Sequence, residues 1–295
     1  MNLFSIRHET IYSYAQPVAL GEHHLMIRPR DSHVLRLNSA TLLIEPEATI
    51  KWSFDVFGNS VARVSFTAPA SQLRVVSELE VQRYSSHATK FEIDEEAQSY
   101  PFIYSPSDRI DLGGADRCQY PDPRGELEAF ARQFIIERPT PTFELLKRIN
   151  IAIKNRFAYA RRDDEGTQTP IVTLTRGGGT CRDFAMLMIE AVRALGFGAR
   201  FVTGYLYDPS LDGGPSRAIG GDATHAWLEV YVPGAGWIEF DPTNGLEGGV
   251  DLIRVAVTRD ASQAIPISGK FTGLPSNFLS LAVSVSVRQA QLAEG

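Results

Sequence analysis

The stretch Gly177-Gly178-Gly179-Thr180-Cys181-Arg182-Asp183-Phe184 decides how the rest of the chain is read. It leads from glycines into an amphipathic helix, because Phe184, Leu187, Met188, Val192 and Leu195 recur at steps of three and four and Gly196 stops the pattern. Cys181 therefore falls in the first helical turn. Thr180 is a natural N-cap, and Asp183, three residues on, closes a capping box back onto its backbone N–H. The unpaired N–H groups and the dipole at a helix N-terminus stabilise an anion, which pulls a cysteine down from its ordinary pKa of about 8.5. Those N–H groups can also hold an oxyanion. Elsewhere a lone cysteine reads as a small buried hydrophobe. Here three glycines strip side chains from the approach to the sulfur, so a substrate is expected to come close.

A nucleophilic cysteine needs a base, and the base needs an orienter. Of the six histidines, His8, His23, His24 and His33 lie in the first segment and His87 follows in the same unit, which leaves His225 in the half that holds Cys181. His225 opens a run in which Ala226, Leu228, Val230 and Val232 alternate with Trp227, Glu229 and Tyr231, the period of a strand. The turn Pro233-Gly234-Ala235-Gly236 then joins it to a second run, Trp237-Ile238-Glu239-Phe240-Asp241, making a hairpin. His225 and Asp241 share the open end of that hairpin, although a bulge or a staggered register is needed to set them opposite. Asp241 is expected to accept the Nδ1–H of His225 and leave Nε2 facing the sulfur. Asp241-Pro242-Thr243-Asn244-Gly245 is also turn chemistry, so a turn role for the aspartate stands beside the orienting one.

These residues carry a resemblance. From about Ile171 to Asn244 the chain is similar to the catalytic core of the bacterial transglutaminase-like superfamily, a branch of the papain-like cysteine enzymes. The matching pieces are Gly179-Thr180-Cys181-Arg182-Asp183-Phe184-Ala185, the run from Arg193 to Tyr205, Thr224-His225-Ala226-Trp227 and Trp237 through Thr243. Upstream, the stretches from His8 to Tyr14, from His23 to Arg30 and from Asp55 to Ser60 resemble the N-terminal β domain that accompanies this core, and Ile253 to Asp260 fits the same family. The resemblance implies Cys181 as nucleophile, His225 as general base and then acid, and Asp241 as orienter. It specifies fold and triad far better than substrate.

Composition sets limits. A chain of 295 residues is too long for one typical core and predicts two domains. A hydrophobic share of 43% beside 22% charged residues is ordinary globular usage. The net charge of −6 argues against a nucleic-acid partner, which wants a basic surface. No apolar run approaches membrane-span length, and the N-terminus lacks a basic region followed by an apolar stretch, so neither a membrane partner nor a signal peptide is expected, and a bacterial cytoplasm is. Cys118 and Cys181 have unlike contexts and suggest no disulfide framework.

The expected organisation is α+β. Residues 1–95 form an antiparallel β-sandwich from strands near 4–14, 22–30, 35–45, 50–55, 60–67 and 73–83. Residues 96–122, rich in Pro, Tyr, Asp and Gly, are a connector. Residues 123–295 form the transglutaminase-like catalytic domain, with helices over 123–137 and 142–157, the nucleophile helix, then strands near 200–207, 223–232, 236–240, 252–257 and 279–287, the helix packing on the antiparallel sheet.

No metal or cofactor is expected. His23 and His24 beside Glu22 lack a third ligand at zinc spacing, and no acidic cluster has calcium-loop spacing. Cys118 reads as incidental, Arg182 and Asp183 as architectural, Trp227 and Trp237 as core aromatics of the hairpin. Residues 208–221 read as a mobile flap before His225. The reaction expected is acyl transfer from a peptide, isopeptide or glutamine-type amide through a thioester, with hydrolysis the first reading and transfer to an amine the second. A non-catalytic binding module is the alternative from another class. The N-terminal domain is left with substrate docking or homodimer formation as its roles.

Overall fold

In the computed structural model the described residues are 2–84, 91–160, 166–209, 219, 221, 223–249 and 251–290. The first part of the chain forms β1 (Asn2–Leu20), β2 (His23–Leu25), β3 (Leu35–Glu45), β4 (Ala48–Phe54), β5 (Ser60–Phe66) and β6 (Ala70–Arg83). β6 lies between β1 and β3, antiparallel to both, while β5 lies between β2 and β4. The alternation of buried and exposed positions along β1 and β6 gives each an inward face, and Tyr14, Leu25, Val64, Leu73 and Val75 fill the space between the two sheets.

The middle of the chain is helical. It contains α1 (Pro106–Leu112), α2 (Glu126–Arg132), α3 (Thr142–Arg156), α4 (Pro170–Arg176) and α5 (Cys181–Ala194). The connector is less bare than its composition predicts: Ser105 caps α1, accepting from the Asp108 N–H at 3.0 Å, with Pro106 at the first helical position. Thr169 and Pro170 start α4 in the same way, a signal too short to stand out by periodicity. α5 is buried on almost every side, against a sheet on one flank and against α2, α3 and α4 on the other. Its face away from the periodic apolar stripe carries a fully buried ion pair, Arg193 to Glu190 at 2.8 Å. Glu190 accepts the N–H groups of Gln119 and Tyr120, and Arg193 donates to the carbonyls of Ala115, Ala199 and Arg259, so every charge-bearing edge is used. Through this pair the connector is bound to α5.

The sheet beneath α5 contains β7 (Ala199–Leu206), β8 (His225–Val232), β9 (Gly236–Asp241) and β10 (Leu252–Thr258), in the order β9, β8, β7, β10 and antiparallel throughout. The α+β arrangement of an N-terminal antiparallel β unit followed by a transglutaminase-like core is therefore observed.

One strand goes elsewhere. The run near 279–287, expected in the catalytic sheet, belongs to β11 (Phe278–Ala290), which pairs with β1 from Leu3 opposite Ala290 to Tyr14 opposite Phe278. Residues 267–268 and 271–272 likewise pair with β2 and β1. β1 offers a long backbone edge, and β11 takes it up from Leu3 to Tyr14. The two units also share a core, where Phe4, Ile6 and Val287 meet Tyr205, Ile253 and Val255.

Candidate active site

The capping box at α5 is formed by the residues that predicted it. The Asp183 carboxylate accepts the backbone N–H of Thr180 at 2.8 Å and its hydroxyl at 3.0 Å. Asp183 does more than cap, since it also accepts the Gln168 N–H at 2.7 Å and the Gln168 side-chain amide at 3.2 Å. Gln168 in turn donates to the Gly178 carbonyl at 3.2 Å and accepts from Arg176 at 3.1 Å, so it ties the glycine run to the helix start. No periodic or spacing signal in the sequence marks Gln168 for that task. Arg182 anchors the other side, donating to the carbonyls of Ala261 and Ala264 at 2.5 Å and 3.2 Å and stacking over Phe201.

The glycines have a different cause from the one expected. Gly177 is the left-handed C-cap of α4, at φ +68°, where a side chain is strained. Gly178 and Gly179 pair with Ala158 and Tyr159 as a short parallel ladder. A Cβ on Gly178 would lie 2.7 Å from the Ala158 carbonyl oxygen, and one on Gly179 would lie 2.7 Å from the Asp183 Cβ. A left-handed turn at Gly177 and close packing at Gly178 and Gly179, rather than an open approach to the sulfur, are what demand glycine before Cys181. Cys181 itself is buried, with 8% of its surface exposed.

The hairpin places the other two residues. β8 and β9 pair in an unbroken register, Leu228 opposite Phe240 through Val232 opposite Gly236, with no bulge between them. Continued by one step that register sets Asp241 beside Trp227, two residues from His225, so the pair is diagonal on one face. Side-chain reach closes the gap: His225 Nε2 lies 2.8 Å from Asp241 Oδ2, both residues fully buried. Neither a bulge nor a stagger is needed.

The ring is turned opposite to expectation. Nε2, not Nδ1, meets the aspartate, and Nδ1 has no hydrogen-bond partner of ordinary geometry among the described residues. Cys181 is near enough to bear on the proton affinity of the ring, so Nδ1 is the atom left for the thiol. The reason is positional: His225 opens β8 and Cys181 opens α5, and Asp241 approaches the ring from the neighbouring strand.

Burial on its own would lower the pKa of His225. The charge and hydrogen bond of Asp241, followed by those of Cys181, outweigh it and raise the imidazole to about 10. Burial would raise Asp241, but the His225 charge, with hydrogen bonds from His225, Asn244 and Thr243, holds it below the usual carboxylate range. The site therefore favours an imidazolium bound to a carboxylate.

Asp241 makes turn contacts and an imidazole contact with one carboxylate. Oδ1 accepts the N–H groups of Thr243 and Asn244 at 2.9 Å and 3.3 Å, an Asx turn, while Oδ2 takes His225 and the Asn244 amide, each at 2.8 Å. Asn244 also accepts from the Ile219 N–H at 2.8 Å, linking the turn to the segment before His225. The expected flap over 208–221 lies for the most part outside the described residues.

Trp227 is buried and stacks on the His225 ring at 6.0 Å and 27°, with its indole N–H donated to Glu239 at 3.2 Å. Trp237 instead lies under the Arg200 guanidinium. His23 bonds the Gly21 carbonyl and His24 bonds Glu22, and among the described residues no three His, Cys, Asp or Glu side chains are grouped as metal ligands. Cys118 lies on the connector 4.0 Å from the Glu190 carbonyl, and burial, then the Glu190 charge, push its thiol up. No described helix is long and apolar enough to cross a membrane.

A papain-like arrangement of helix and antiparallel sheet, with a cysteine at the helix start, defines the class as cysteine-dependent enzymes. Residues 128–242 match the transglutaminase-like superfamily, and residues 4–82 match the bacterial transglutaminase-like N-terminal region. The chain thus carries a transglutaminase-like core preceded by the bacterial transglutaminase-like N-terminal region. Along nearly its whole length it is similar to an uncharacterized protein of Mycobacterium leprae, 25% identical over 95% of this chain and 96% of that one. An uncharacterized Mycobacterium bovis protein is 27% identical over 96% of this chain and 92% of its own. In fold it is similar to a candidate cysteine protease from Cytophaga hutchinsonii, with a TM-score of 0.70, 20% identity and coverage of 99% and 92% of the two chains.

Proposed function

We propose that Cys181, His225 and Asp241 form a catalytic triad for acyl transfer, and that the reaction is hydrolysis of a peptide or isopeptide amide. The observation that carries this reading is the buried 2.8 Å His225–Asp241 pair whose free ring nitrogen is left for a cysteine at a helix N-terminus. A ring held as imidazolium has the proton that the leaving amine needs, so the resting site has its acid in place beside the cysteine.

The steps balance without a cofactor. The Cys181 thiolate adds to the amide carbonyl, and the oxyanion rests on N–H groups at the start of α5. The C–N bond then breaks as His225 gives its proton to the leaving amine, leaving a thioester on Cys181. Neutral His225 next takes a proton from water as that water adds to the thioester, and collapse returns the thiolate and releases the carboxylic acid. Asp241 holds the ring in orientation and stabilises its charged form; it stays ionised throughout.

The match to the transglutaminase-like superfamily favours, as a second reading, an amine in place of the water. The test is mass spectrometry of products from a glutamine- and lysine-containing peptide library, with and without an added primary amine. Cleaved or deamidated peptides with no amine incorporated support the hydrolase. Incorporation that outpaces hydrolysis assigns the transferase, and an absence of any product together with unreactive Cys181 overturns the enzymatic reading.

A further inference from the structure

Three stretches that catalysis leaves unused meet at one place: Arg30 with Asp31, the turn Phe57-Gly58-Asn59, and Arg254 through Val257. With Arg200 they line a pocket of about 280 Å³ between the N-terminal β unit and the catalytic sheet, near the lower end of the ~300–1,000 Å³ typical of small-molecule sites. From this geometry we infer that the pocket binds a phosphate-type oxyanion, free or carried by a small molecule, on the guanidinium groups of Arg30, Arg200 and Arg254.

The walls are held in place. Asn59 donates to the Val257 carbonyl at 2.7 Å and accepts the Val257 N–H at 2.9 Å, and Asp55 accepts from both the backbone and the amide of Asn59 at 2.8 Å. Gly58 has φ +77°, and a Cβ there would lie 2.5 Å from Arg30 Nη1, so only glycine lets the guanidinium lie across its carbonyl. Arg30 also stacks over Phe54 at 5.0 Å, and Arg200 over Trp237 at 4.0 Å, which orients each planar group without neutralising it.

The guanidinium donors are not all used. Arg200 and Arg254 share a single buried carboxylate, Glu229, through Nε at 2.6 Å and Nη1 at 2.9 Å. Each keeps further N–H donors, since a guanidinium carries five. Arg30 adds a third charge, and Asp31, exposed at the rim, offsets one. Asp55 behind the turn and Glu239, whose charge bears on both Arg200 and Arg254, add further acidic groups, so the pocket offers directed guanidinium donors rather than an excess of charge. Three forks from three segments suit a group with several acceptor oxygens.

Arg200 and Arg254 reach the pocket from the side of the sheet away from α5, which packs against Ala226, Leu228 and Val230. Arg200 is opposite Glu229 on β8.

Isothermal titration calorimetry of the full chain tests the inference, with inorganic phosphate, a phosphate monoester and succinate each added at equal ionic strength against chloride. Saturable binding of phosphate at one site per chain is expected, and tighter binding of the monoester would indicate a carried phosphate. Arg30→Gln, at an exposed residue, should weaken binding about tenfold or more, a change of about 1.4 kcal/mol. Arg254→Lys keeps a charge for Glu229 and should also weaken it, whereas Arg288→Gln on β11 should not. No saturable phosphate heat at millimolar concentration, succinate binding as tightly as phosphate, or equal affinity in Arg30→Gln and Arg288→Gln overturns the proposal. Binding is read without turnover, so failure of the catalytic reading would leave this result standing.

Discussion

His8 on β1 and His225 on β8 are both buried, 3% and 1% exposed, yet they are driven in opposite directions. His8 lies 3.1 Å from the Tyr205 hydroxyl at Nδ1 and 3.1 Å from the Thr10 hydroxyl at Nε2. Its neighbours are neutral, so burial lowers its pKa to about 4 and it is an uncharged link between the β unit and the core. His225 has a carboxylate on one nitrogen and a thiol near the other, and its pKa rises to about 10. Burial amplifies whatever partner is present, because a low dielectric strengthens the pairing with a charge and equally penalises a charge that has no pair.

The strongest way to break the comparison is through activity. Cys181→Ala should lower turnover at least about a thousandfold in a peptide-hydrolysis assay, the scale of losing a triad nucleophile. His8→Asn in the same assay should be close to wild type. Equal losses in the two variants would show that the histidines are not functionally distinct.

Asp241→Asn should turn His225 toward the condition of His8. Turnover should fall about a hundredfold to ten-thousandfold, and the His225 ring signal followed by NMR should titrate well below about 10. A ring that still titrates near its original value in this variant would mean that Cys181, not Asp241, sets the charge.

Linkage gives these two histidines opposite signatures in stability. The folded-state pKa of His225 lies above the ordinary 6.5, so its contribution is whole below pH 6.5 and is lost as pH rises through about 10. That of His8 lies below, so the unfolded chain binds the proton more readily, and its contribution is whole above pH 6.5 and lost as pH falls toward about 4. Chemical denaturation across pH should show the alkaline loss shrink in Asp241→Asn and the acid loss shrink in His8→Asn.

The converse change is smaller. Thr10→Asp places a carboxylate where His8 Nε2 now meets a hydroxyl, and the His8 signal should move up from about 4 by at least about one unit, equivalent to ~1.4 kcal/mol. No movement would show that burial dominates even with a charge beside the ring. Smallest of all, His8→Asn should cost about 1 kcal/mol in stability, the scale of a net hydrogen bond.

Much of the site was legible because its parts are local. The N-cap Thr180, the Asp183 that answers it and the apolar steps of α5 lie within one helix, and the alternation that defines β8 and β9 lies within one hairpin. The Asx turn at Asp241 was legible as well, although sequence could not tell that one carboxylate would serve turn and imidazole together. Gln168 and the Glu190–Arg193 hub left no pattern, because their partners lie up to about eighty residues away and hydrogen bonding has no sequence period.

By itself, then, the sequence determined which elements form and which cysteine, histidine and aspartate belong to one half of the chain. The tertiary structure alone decided that Nε2 rather than Nδ1 meets Asp241, that Gly178 and Gly179 are there for close packing, and that β11 returns to β1 instead of joining the sheet beneath α5. Propensity and periodicity act over a few residues and are written in the chain. Ring orientation, close approach and the choice of a strand's partner depend on what arrives from elsewhere, so they exist only once the chain has packed.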